Sequence, residues 1–149
     1  MPHRGGIERL HEQLNEIFED LWRGPRFATR GSGFRPRVDI YVTDDPSELT
    51  IVVELAGLDP DDLRLTLAGD ILIVSGARDH VGADTDRQIS WYQAEIARGP
   101  FEWRVRLPAN ADPDAALATY ASGLLTIVLP LAAKAPPQGP VVIRVTTVR

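Results

Sequence analysis

The stretch ALATYASGLLTIVLP (residues 116–130) decides how this chain is read. Two short apolar runs flank Ser122-Gly123, a dipeptide that punctuates strands, and no helical period runs through them. Upstream the period is two. VDIYVT (38–43) places Val38, Ile40 and Val42 on one face, and ELTIVVEL (48–55) does the same with Leu49, Ile51, Val53 and Leu55. The acid-rich TDDPSE turns the chain between these runs. LRLTL (63–67) alternates Leu63, Leu65 and Leu67, Gly69-Asp70 makes a tight turn, and ILIVS (71–75) returns as its hairpin partner. ISWYQAEIA (89–97) and FEWRVRLP (101–108) complete a set of eight expected short strands. That pattern predicts an all-β, immunoglobulin-like antiparallel β-sandwich over residues 38–130.

On either side the pattern changes. Residues 7–22 have helical spacing, with Leu10, Leu14, Ile17, Phe18, Leu21 and Trp22 on one face and Glu8, Glu12, Glu16, Glu19 and Asp20 over most of the rest. Gly24-Pro25 ends the expected helix. RGPRFATRGSGFRPR (23–37) carries Arg23, Arg26, Arg30, Arg35 and Arg37 and no acid, and is read as a solvated connector rather than a nucleic-acid site. The division is therefore an arm (1–37), a sandwich (38–130) and an extension (131–149). The extension passes through three prolines into VVIRV, a short strand with no later segment to pair with it.

Composition narrows the function classes. With 149 residues, 44% hydrophobic and 25% charged, the chain has the make-up of a folded single domain. The absence of cysteine removes disulfides, thiol catalysis and cysteine-ligated metals, and fits a reducing compartment. A net charge of −5 argues against non-specific nucleic-acid binding. LLTIVLPLAA, the longest apolar stretch, is too short to span a bilayer, and the first residues lack an apolar signal core; no membrane partner and a cytoplasmic location are expected. Asp44-Asp45 and Asp61-Asp62 adjoin Pro46 and Pro60 and are read as turn residues rather than catalytic or metal-binding pairs. His3, His11 and His80 have no metal-ligand spacing, and no phosphate loop or nucleophile elbow appears, so no catalysis, metal or cofactor is expected.

ALATYASGLLTIVLP resembles the signature of the small heat shock proteins, the α-crystallin family, through Ala118, Gly123, Leu124, Leu125 and Leu129-Pro130. VVELAGLDPDDLRLTLAGDILIVSGAR (52–78) and YQAEIARGPFEWRVRLP (92–108) are similar to two further family regions, and Ile143-x-Val145 looks like its tail motif. The resemblance implies an ATP-independent holdase that binds partly unfolded proteins and assembles with itself from dimers into a larger homo-oligomer. It implies that Ile143 and Val145 anchor in a neighbour's groove lined by Leu65, Leu67, Ala118 and Tyr120, with Arg144 pointing out and Val141 open as an upstream knob. The polar run ARDHVGADTDRQ (77–88) then carries the next strand to a neighbour's first strand, with Ile89, Trp91 and Tyr92 as its apolar contacts. The arm residues of 7–22 become client-binding or oligomer-interior surface. Trp103 stands where the family usually has an arginine, which implies a dimer contact that is more apolar or differently built. The alternatives are a co-chaperone-type interaction module, disfavoured by the joint presence of arm and tail motif, and an enzyme, disfavoured because the acids fall in turns.

Overall fold

A computed structural model describes residues 33–82, 85–132 and 141–148. Its strands follow the alternation just described. β1 (Val38–Asp44) and β2 (Ser47–Glu54) form a hairpin, as do β3 (Arg64–Ala68) and β4 (Ile71–Arg78). β5 (Gly99–Arg106) lies against β4, and β6 (Leu117–Ala121) and β7 (Leu124–Pro130) make the third hairpin. Two short tail strands follow, β8 (Val141–Val142) and β9 (Val145–Thr147). They form two sheets, ordered β1-β2-β7-β6-β9 and β5-β4-β3-β8.

The inward faces meet in one core. Leu49, Ile51 and Val53 of β2 and Leu125, Ile127 and Leu129 of β7 are almost wholly removed from solvent. Leu65, Leu67, Leu72, Val74, Phe101, Trp103 and Val105 cover them from the other sheet. Each fully buried aliphatic side chain stabilises the fold by about 1.5–3 kcal/mol relative to exposure. β5 shows the two-residue period cleanly: Phe101, Trp103 and Val105 are buried while Glu102, Arg104 and Arg106 are exposed. Trp103 therefore lies in the core beside Phe101 and Val105, on the face its parity predicts.

The turns behave as their residues dictate. Ser122 and Gly123 both have positive φ, 52° and 77°, the requirement of a two-residue hairpin whose twist matches its strands. A Cβ on Gly123 would come within 2.9 Å of the Ala56 Cβ, while the Gly123 carbonyl accepts a hydrogen bond from Leu55 N at 2.8 Å. Asp59 Oδ1 accepts from Asp61 N at 3.0 Å and caps a single 3-10 turn, Pro60–Asp62. Asp61 and Asp62 are thus turn residues, and Asp44 closes the β1–β2 hairpin opposite Ser47. Among the described residues no group of acids and histidines is placed to hold a metal.

Two expectations need correction and one lies out of view. ISWYQAEIA is not a strand in this structure: residues 87–98 have no sheet partner, so the described residues of the sandwich hold seven strands rather than eight. A strand needs an edge to pair with, and in this structure the segment lies against none. The connector is also not solvated throughout, because Phe34 packs against the core and Pro36 is buried. The expected helix at 7–22 lies outside the described residues.

Candidate functional site

The tail occupies a seat between the open edges of the two sheets. β8 pairs antiparallel with β3, Val141 opposite Leu67 and Val142 opposite Thr66. β9 pairs parallel with β6, Val145 beside Ala118 and Thr147 beside Tyr120. Between them Ile143 is only 5% exposed and joins the same core cluster as Leu65, Leu67, Ala118 and Tyr120. Val141 and Val145 pack against that cluster from either side, while Val142 and Arg144 face solvent. The register left open by the sequence is thus a row of three inward side chains, Val141, Ile143 and Val145. Main-chain pairing fixes the direction and the side chains fill the groove.

The groove wall is stiffened from behind. Tyr120 is buried, and its hydroxyl donates to the Leu55 carbonyl at 2.7 Å, joining β6 to the segment after β2. Val148 N donates to the Tyr120 carbonyl at 3.1 Å, so the tail holds the outer edge of that strand beyond β9. All four residues expected to line the groove are brought together. The sequence placed their occupant on a neighbouring chain; here the chain's own tail fills the seat.

A second feature projects from the opposite end of β4 and β5. Arg78 Nη1 donates to the Ala97 carbonyl at 2.8 Å, and Arg98 Nη1 donates to the Asp79 carbonyl at 2.8 Å. These crossed bonds close the neck of the loop between the strands. Beyond the neck, Ile89, Trp91, Tyr92 and Ile96 are exposed, Trp91 by 58% and Tyr92 fully. Large apolar side chains exposed in one loop make it a candidate interaction surface. The outer edge of β1 has no strand partner among the described residues.

Arg78 also gathers other segments. Its guanidinium lies 4.4 Å from the centre of the Phe34 ring, and its Nη2 is 3.8 Å from Glu54 Oε1. Phe34 in turn lies 5.2 Å from Phe101 and donates its backbone N–H to the Pro100 carbonyl at 3.1 Å. The side chain of Arg78 is 9% exposed, so this is a buried cation shared by the end of the arm, the loop neck and β2. Sequence reasoning missed it. The available signal was an arginine at the inward parity of ILIVSGAR, following Leu72 and Val74, together with an aromatic in an otherwise basic connector.

The fold matches a known architecture. A family model described as "Hsp20/alpha crystallin family" matches residues 41–146, most of the chain. The chain belongs to this family. Membership carries a chaperone role in general terms and makes this a small heat shock protein. It is 27% identical over 121 residues to small heat shock protein C2 of Rickettsia felis, covering 81% of this chain and 76% of that protein. It is 32% identical over 103 residues to the 18.1 kDa class I heat shock protein of Arabidopsis thaliana, covering 68% of this chain and 62% of that one. Among solved structures, a small heat shock protein from Xylella fastidiosa superposes with a TM-score of 0.59 at 29% identity, covering 71% of this chain and 94% of that chain. The small heat shock fold accounts for the sandwich. The arm residues Leu10, Leu14, Ile17, Phe18, Leu21 and Trp22 lie outside the described residues.

Proposed function

We propose that this small heat shock protein is an ATP-independent holdase that assembles with itself and captures partly unfolded proteins. The observation that carries this reading is the tail seat: an apolar groove between two sheet edges, covered by a few residues at the end of the chain. A surface of that kind shields itself when clients are scarce and accepts exposed chain when they are not. Binding the partly unfolded state removes it from the aggregating pool by mass action, with no bond chemistry.

The loop supports the assembly step. Its exposed Ile89, Trp91 and Tyr92 stand ready for a neighbour's unpaired β1 edge, which would complete the missing eighth strand in a dimer. Ile143 and Val145 then link dimers by entering grooves of other chains, using the contacts they make here. The arm, 1–37, supplies further client surface, the sandwich spans 38–130, and the extension, 131–149, is the latch. The reported Xylella structure "reveals a distinct high order structure", which agrees with assembly in this family. The proposed setting is cytoplasmic, and no helix among the described residues is long and apolar enough to cross a membrane.

The direct test is light scattering from a heat-labile enzyme warmed with equimolar protein and no nucleotide. Scattering should be suppressed, and addition of ATP should not change the suppression. Equal scattering with and without the protein refutes the reading. Deleting residues 1–34 should weaken suppression while leaving the sandwich folded, and full activity in the deletion would remove the arm from the client surface.

A further inference from the structure

The two outer faces of the sandwich differ in character. On the four-stranded sheet, the register sets Val142, Thr66, Ile73 and Arg104 side by side across all four strands. The next row is Ala68, Ile71 and Arg106. Val142 is 77% exposed, and Ile71 and Ile73 are only half-buried, so an aliphatic strip faces water. Arg104 and Arg106 border it along β5, Arg64 stands at the end of β3, and Arg144 projects from the tail. Arg104 pairs with Glu102 and Arg106 with Asp70, while Arg64 donates to the Asp61 backbone carbonyl, so arginines line this strip on several sides. The outer face of the five-stranded sheet is the reverse. It presents Asp39, Glu48 and Glu54 around uncharged residues such as Val52 and Thr126, and no basic residue belongs to its strands.

One segment of the chain complements the first face and not the second. Residues 7–22 have the spacing of an amphipathic helix, and Glu8, Glu12, Glu16, Glu19 and Asp20 flank its apolar side. The described chain begins beside the arginine-bearing sheet, where Phe34 is held to Pro100 and Phe101 at the start of edge strand β5. Trp22 and Phe34 are twelve residues apart in sequence (34 − 22). Extended at about 3.3–3.6 Å per residue, that connector reaches roughly 40 Å, enough to bring the segment back over the sheet.

We propose that residues 7–22 dock their apolar side on the outer face of the β3–β4–β5 sheet of the same chain, over Ile71, Ile73 and Val142, with their acids toward the bordering arginines. This goes beyond the chaperone reading, because it holds whether or not the arm touches clients. It names where the arm rests, and it makes the docked tail, through Val142, part of the resting place.

The absence of native cysteine makes disulfide trapping in the full chain the natural test. Leu14→Cys is paired with Ile73→Cys on the proposed face, and in a control chain with Thr126→Cys on the acidic face. Under mild oxidation the Ile73→Cys pair should cross-link within one chain at least tenfold faster than the control. The advantage should shrink severalfold between 0.15 M and 1 M salt, where the screening length falls from about 8 Å to about 3 Å. Thr66→Cys, exposed in the same row, replaces Ile73→Cys if that variant folds poorly and should behave alike. Charge reversal at Glu12 and Glu16 should slow both proposed-face pairs and leave the control unaffected. Equal rates on the two faces, or links formed solely between chains, overturn the proposal.

Discussion

Replacing Ile143 with alanine strips the tail of its most buried side chain, which is 5% exposed between β3 and β6. In a closed core such a change costs about 2–5 kcal/mol, because a cavity remains. For a tail that leaves its seat as a unit, the loss is limited to what the side chain contributes to docking, about 1.5–3 kcal/mol for a buried aliphatic group. At about 1.4 kcal/mol per decade, the ratio of seated to released tail falls roughly 10- to 150-fold. Amide hydrogen exchange reads that ratio directly. Protection at Val145–Thr147 and at Val148, whose N–H donates to Tyr120, should fall by the same factor. Amides of β7, whose Leu125, Ile127 and Leu129 are inaccessible, should keep their protection. Arg144→Ala changes an exposed side chain and should move neither set by more than about 0.5 kcal/mol. Unchanged protection at 145–148 in Ile143→Ala refutes the seat as the tail's anchor. An equal fall in β7 refutes the idea that the tail is a separable latch, because the tail would then be part of the cooperative core.

Three further perturbations test the rest of the structure. Arg78→Met keeps much of the packing volume but loses the bond to Ala97 and the contacts with Phe34 and Glu54; thermal unfolding should show a loss of about 1–3 kcal/mol, and Arg78→Lys should restore little of it, since an ammonium cannot reproduce the planar fork. Gly123→Ala forces a side chain into a left-handed backbone with φ 77° and to within 2.9 Å of Ala56, and urea titration should show destabilisation of about 1–3 kcal/mol. Trp103→Arg installs the residue the family usually has on a side chain 5% exposed in this core, and circular dichroism should show unfolding or severe destabilisation, on the order of several kcal/mol, rather than a tighter dimer.

Most of the sandwich was legible because alternation leaves little freedom. Once Leu65 and Leu67 share a face, β3 can bury them in only one orientation, and a slip of one residue would expose both. The groove residues came from the resemblance to the small heat shock family rather than from spacing, and the inward parity of Ala118 and Tyr120 on β6 agrees with that placement. What the sequence withheld were matters of partnership. ISWYQAEIA has strand composition, but a strand exists only where an edge accepts it, and the bonds from Arg78 and Arg98 hold this segment out from its own sheet. Nor could spacing reveal that Phe34 turns back onto Arg78, because a basic connector with two scattered aromatics gives no periodic signal. Gly76 is a quieter case. A Cβ there would stand 3.0 Å from a Phe101 ring carbon, so the small residue in ILIVSGAR makes room for the aromatic on which Phe34 packs.

The seat's occupancy by the chain's own tail sets a condition on the proposed assembly. A neighbour's tail makes the same contacts, so cis and trans seating differ chiefly in connection. A short tether such as that from Ala132 to Val141 gives the chain's own tail an effective concentration in the millimolar range. At micromolar subunit concentration a single neighbouring tail is then disfavoured by about 10³-fold, or roughly 4 kcal/mol. Tail exchange alone therefore builds no particle. It becomes favourable when subunits are first paired, so that two tails cross between the same two dimers and the second crossing is itself tethered. The exposed loop with Trp91 and Tyr92 is the feature proposed to supply such pairing, which orders the proposed steps: loop exchange first, tails afterwards. A variant that loses loop pairing should accordingly fall to monomers with seated tails, and not to dimers with free ones.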